Sequence, residues 1–181
     1  VISLSAVKLD EQNPGFKLTP AMLKACVYSV LFGDLMMQML YRTRPYEAEP
    51  GSANALFEEF MDRARRMVPT FTRRSFTKLS REAIDAFDVL PLTGEGTKPR
   101  VGVVGEILVK FHPTANNHVV DVIEAEGCEA VVPGLLDFFL YSMSNAQVQK
   151  GELGSSAAAR ASMDAAIRLV DWMRKPVEDL L

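Results

Sequence analysis

The sequence predicts an α/β fold: one parallel βαβ unit at about residues 100–133, set among packed helices, with helix outweighing strand overall. Three observations carry this. Val101-Gly102-Val103-Val104 is a short apolar run of the kind a strand shows when both of its faces are buried. Val119, Val120, Val122 and Ile123 then recur at helical spacing, and Gly127 stops that helix as a left-handed C-cap. Glu129-Ala130-Val131-Val132 is a second strand, punctuated by Pro133-Gly134. Two strands joined through one helix are parallel, and the crossover is right-handed.

The remaining elements follow in order. Val1-Ile2-Ser3-Leu4-Ser5 has strand character and is expected in the same sheet, with Asn13-Pro14-Gly15 as the turn after it. Thr19-Pro20 starts a helix, Thr as N-cap and Pro where its missing N–H costs nothing. That helix is expected to reach about Tyr41, with Leu23, Cys26, Val27, Val30, Leu31, Leu35, Met39 and Leu40 on a wide apolar face. Met36, Met37 and Met39 read as core filling or as an adaptable surface. Pro45 bars continuation, and a second helix opens at Ser52, its inner face Leu56, Phe57, Phe60, Met61, Ala64 and Met67. After Pro69 a third helix, about 74–89, turns Phe76, Leu79, Ala83, Ile84 and Phe87 inward. Residues 91–99 form a possible seam between the helical section and the βαβ unit. Beyond that unit, helices are expected over about 135–149 and 157–175, with a loop at 151–156 between them and Pro176 ending the last.

At 181 residues the chain fits a single domain with a real core. Its 48% hydrophobic and 24% charged residues are ordinary globular composition, which excludes a disordered chain. A net charge of -3 gives no pull toward nucleic acid or an anionic membrane. Asp34 and Gln38 interrupt the best membrane-span candidate, Val27 to Leu40, and no signal peptide is recognisable. Two cysteines at unrelated positions suggest reduced thiols and a cytoplasmic setting, with Cys26 buried. A chain that starts on a strand without Met is expected to be a piece of a larger protein.

The loop after the first strand is the leading site candidate, because ligands of open α/β sheets gather at strand carboxyl ends near helix N-termini. It holds Gly105, Glu106, Lys110, His112, Asn116, Asn117 and His118. Lys110 suits a phosphate or carboxylate, and Glu106 an acid, a base or an orienting acceptor. Asn116 and Asn117 suit either helix capping or a ligand. The spacing G-V-V-G-E is not the dinucleotide fingerprint. His112 and His118 lack metal-ligand spacing, so no metal site is expected. Arg42, Arg44, Tyr46 and Glu47 form a second cluster, able to take an anion or a partner surface, or simply to close a helix.

Arg44–Glu47 (RPYE), Pro50–Ser52 (PGS), Val101–Asn117 (VGVVGEILVKFHPTANN) and Leu136–Tyr141 (LDFFLY) together resemble the activase-related proteins of the 2-hydroxyacyl-CoA dehydratase system, in the region similar to the D component of 2-hydroxyglutaryl-CoA dehydratase. The resemblance runs from Val1 to about Asn145, and its GEILVK stretch is the most specific part. It implies a Rossmann-like open sheet within a long cytoplasmic protein of anaerobic bacteria. It also implies a cysteine-bound iron–sulfur cluster that serves radical dehydration of a 2-hydroxyacyl-CoA. This chain departs from the pattern: a cluster cysteine expected just after the strand Ala130–Val132 is replaced by Leu135-Leu136-Asp137. With Cys26 and Cys128 alone, no cluster is expected within it, although one is possible in the parent protein. The expected role is a scaffold, not catalytic by itself, whose partners are other domains of the parent chain. Two alternatives stand beside it: a site for an acyl-CoA or other phosphate at Lys110 and Asn117, and a docking module without a ligand.

Overall fold

The computed structural model describes residues 19–94, 96–152 and 157–180; the strand expected at Val1–Ser5 lies outside them. Thr19 starts the first helix as its spacing requires, its hydroxyl accepting from the Met22 N–H at 3.2 Å with Pro20 next in the chain. This helix, α1, spans Pro20–Thr43 and runs on into a 3₁₀ turn at Arg44–Tyr46. It is the axis of the molecule. Tyr28, Leu31, Phe32, Leu35, Met36, Met39 and Leu40 are buried along it, so Met36 and Met39 are core filling. By length and composition alone, Pro20–Tyr46 is apolar enough to cross a bilayer, contrary to the expectation that Asp34 and Gln38 rule this out. Here its apolar face is the core of the fold. Cys26 falls on the open side of α1 and is exposed, not buried as expected.

Helices α2 (Ser52–Met67) and α3 (Arg73–Asp88) pack on α1. The predicted inner face of α3 is buried at all five positions, and Thr72 and Ser75 close a reciprocal capping box at its start. Phe76 meets Tyr28 at 4.8 Å between ring centres and Phe71 edge-on at 6.4 Å. The start of the expected seam is tied down: Ala48 N–H donates to the Pro91 carbonyl at 2.9 Å and Thr93 N–H to that of Tyr46 at 2.8 Å.

The βαβ unit forms as read. Strands β1 (Arg100–Gly102) and β2 (Glu129–Val131) pair in parallel, with Val101 opposite Ala130. Between them lie α4 (Ile107–Phe111), a 3₁₀ turn at Pro113–Asn116, and α5 (Val119–Ala125), ended by Gly127 at φ +78°. The stretch expected to be a plain polar loop thus contains a helical turn. Both α1 and α5 pack on β2. β1 is not buried on both faces: all three of its residues are exposed, and beyond it Val103 is buried while Val104 is 80% exposed. The apolar run was legible, but nothing among the described residues covers its second face.

Helices α6 (Leu135–Glu152) and α7 (Ala157–Glu178) complete the fold, α6 running through Gly151 into the stretch read as a loop. α7 passes through Pro176 rather than ending there; Met173, Pro176 and Val177 are buried, and their packing holds the last turn helical. The fold is a helix-rich α/β structure with a two-stranded parallel sheet among the described residues.

Candidate functional site

Pro45 tightens the end of α1 into a 3₁₀ turn, and this turn aims Arg44, Tyr46 and Glu47 in three directions. The Arg44 guanidinium meets the Glu124 carboxylate side-on, Nε at 2.7 Å and Nη2 at 3.0 Å, with the Asn54 amide oxygen at 3.2 Å and Asp121 at 3.5 Å. Burial alone would make its proton easier to lose; the hydrogen bonds and charge of Glu124, with Asp121 behind it, reverse that and raise its pKa. Tyr46 donates its hydroxyl to Glu129 at 3.0 Å and accepts the Lys98 N–H at 3.0 Å. Glu129 is buried, and Arg100 Nε holds its other oxygen at 3.0 Å. Glu47 reaches back over α2, accepting from the Gly51 and Ala53 N–H groups at 2.7 and 2.8 Å, which satisfies free donors at that helix start.

The loop residues are similarly engaged. Gly105 sits at φ +143°, a backbone that a side chain would strain. Glu106 caps α4 through the Leu108 N–H at 2.9 Å, and His112 Nδ1 accepts from Ala115 at 3.2 Å. Asn116 is the working cap of α5: its Oδ1 accepts from Val119 at 3.2 Å while its Nδ2 donates to the Val109 carbonyl at 2.9 Å. Asn117 and His118 supply two successive left-handed residues, φ 55° and 54°. Lys110 differs from the rest. Its ammonium lies 5.2 Å from the Phe138 ring centre and 5.4 Å from that of Phe111, with no carboxylate partner among the described residues.

The two candidate clusters meet. Arg44, Lys110, Asn116 and His118 line one cavity of about 350 Å³, whose apolar wall includes Leu40, Tyr41, Phe57 and Phe111. Tyr46, Glu47, Gly105, Glu106, His112 and Asn117 stand outside that lining. A second cleft, of about 290 Å³, runs along β2 between Arg42 and Arg100 at one end and Gly134 and Asp137 at the other.

Three engaged carboxylates were not singled out from sequence. Asp34 accepts from the Leu135 and Leu136 N–H groups at 2.8 and 2.9 Å, so α1 caps α6. Burial, offset in part by those two bonds, raises its pKa. Its signal was an acid inside an otherwise apolar helix. Glu129, a charge opening a buried strand, carried a weaker signal; Glu124 carried none.

Among the described residues no group of three or more His, Cys, Asp or Glu side chains converges as a metal site. Cys26 lies 18 residues before Arg44 on the axis of α1, about 27 Å at the helical rise. Arg44 touches Glu124, one turn before Cys128, so the two thiols do not share a centre and do not fit an iron–sulfur cluster. The chain matches no known protein family, no curated protein and no solved structure.

Proposed function

We propose that this chain is a scaffold module, not catalytic by itself, that docks another domain or chain against its open sheet. The observation that carries this reading is β1: three residues, all exposed, and paired on one side only among the described residues. Val104 and Leu108 beside it are 80% and 56% exposed. An uncovered strand edge next to apolar side chains is a ready template for association. The residues first suspected of ligand binding are mostly committed to caps and ion pairs, which suits a rigid support better than a reaction centre. Together with the stretches that resemble the dehydratase system, this favours a Rossmann-like support within a larger cytoplasmic dehydratase-like protein, any iron–sulfur cluster being held by other parts of it.

Backbone hydrogen exchange tests it. The Arg100–Gly102 amides that face away from β2 should exchange freely in the isolated chain and slow in the complete encoded polypeptide or its complex. Equal exchange in both defeats the reading. Anaerobic iron and sulfide analysis is the companion measurement: a cluster bound by the isolated chain would defeat the supporting role.

A second reading rests on the shared cavity. Arg44 is paired with Glu124 and shares Asp121 on the same lining, so Lys110 is the cation of this cavity without a carboxylate partner among the described residues, which suits an anion such as the phosphate of an acyl-CoA. Lys110→Ala should weaken coenzyme A binding about tenfold or more by calorimetry; unchanged affinity removes this reading.

A further inference from the structure

A parallel strand turns the peptide groups of alternate residues toward a given neighbour. Glu129 N–H donates to the Pro99 carbonyl at 2.8 Å and the Val131 carbonyl accepts from Val103 at 2.9 Å, so residues 129 and 131 face β1. The N–H and C=O groups of Ala130 and Val132 therefore leave by the opposite edge of β2. Among the described residues nothing hydrogen-bonds to them there. Yet Ala130 is only 3% and Val132 only 5% exposed. Buried backbone groups are almost always paired in native proteins, so among the described residues this edge lacks a partner. The outer edge of β1 is a different case, since its exposed residues are open to water.

Ala130 and Val132 also line the cleft of about 290 Å³, to which α1 contributes Gln38, Tyr41 and Arg42. The cleft has electrical direction. α1 and β2 run antiparallel, because Tyr46 meets Glu129 at one end and Asp34 meets Leu135 at the other. Arg42 and Arg100 thus sit at the amino end of β2. Arg100 is shared with Glu129, whereas Arg42 has no carboxylate partner among the described residues. Asp137 lies past the carboxyl end.

We propose that this edge accepts an extended peptide segment as a third strand, with an acidic side chain of the segment set against Arg42 and Arg100. Main-chain pairing to Ala130 and Val132 supplies the affinity and the arginine pair supplies the selection. The inference rests on the docking reading above and names a different edge from the one that carries it.

The probe is a fluorescein-labelled, end-blocked Thr-Val-Glu-Val-Thr peptide, read by anisotropy and by exchange of the Ala130 and Val132 amides. Saturable binding is expected, with both amides slowed. Putting Lys for Glu in the peptide should weaken it roughly tenfold, and Arg42→Glu should reverse that preference. Arg42 is exposed and unpaired among the described residues, so its replacement leaves the fold intact. No binding at millimolar peptide, or binding indifferent to Arg42→Glu, overturns the proposal. So do amides already protected in the free chain that lose protection when residues 1–18 are removed, since the chain would then close its own edge. If the complete polypeptide protects Arg100–Gly102 while Ala130 and Val132 exchange unchanged, docking stands and this inference fails; protection at neither edge removes both.

Discussion

Arg44 has 18% and Glu124 14% of its side chain exposed, so each charge depends on the other for what solvent no longer supplies. Arg44→Ala is therefore expected to cost about 3 kcal/mol in urea unfolding, most of it from the carboxylate left behind. Arg44→Met combined with Glu124→Leu should lie closer to wild type than Arg44→Ala; a loss equal to the sum of the two single losses would show that the two side chains act independently and defeat this account. Asp34 makes a prediction in pH. Burial raises its folded pKa above the ordinary 3.8, so the folded state binds this proton more tightly than the unfolded chain does. Its contribution is complete below 3.8 and is lost as pH rises through the raised value. The Asp34→Asn variant should lack that segment of the stability–pH curve, and carboxyl NMR should find Asp34 titrating above its ordinary value.

At the scale of elements, what could be read depended on what each pattern encodes. Phe76, Leu79, Ala83, Ile84 and Phe87 repeat with the helical period, and that period alone places them on one face. Thr19 and Gly127 announce their helix ends through local chemistry. A continuous run such as Val101–Val104 carries no periodicity to say which face is covered, and its exposure followed from layers the run does not specify. The candidate site was legible in residue type but not in role. Asn116 is the exception, expected as a cap or a ligand group and found capping α5, whereas the capping by Glu47 and Glu106 depends on the turns that return them to a helix start. The Arg44–Glu124 pair spans 80 residues, beyond any local pattern. Ser80 illustrates the reverse: on the buried face of α3, its hydroxyl has no hydrogen-bond partner among the described residues. Ser80→Ala removes a desolvated polar group without opening a large void, and should stabilise by about 1 kcal/mol in thermal or chemical denaturation. A loss of stability would reveal a partner for that hydroxyl.

Over the whole molecule, α1 is the shared wall. Its core residues meet α2, α3, α6, α7 and the sheet, so the helical base and the βαβ unit are two sides of one helix. Pro91, Thr93 and Lys98, from the segment between them, are tied back to Ala48 and Tyr46. The cap that Asp34 places on α6 has a kinetic consequence. It closes a span of 101 residues, whereas neighbouring contacts of α1 with α2 and α3 close far shorter ones. Long closures carry the larger entropic cost and tend to be made late. Folding should begin in the α1–α3 hairpins and finish when the amino end of α6 reaches Asp34. In stopped-flow measurements Asp34→Ala should then leave the refolding limb nearly unchanged and speed unfolding several-fold, as interactions absent from the transition state do. Slowed refolding would place this closure in the nucleus instead.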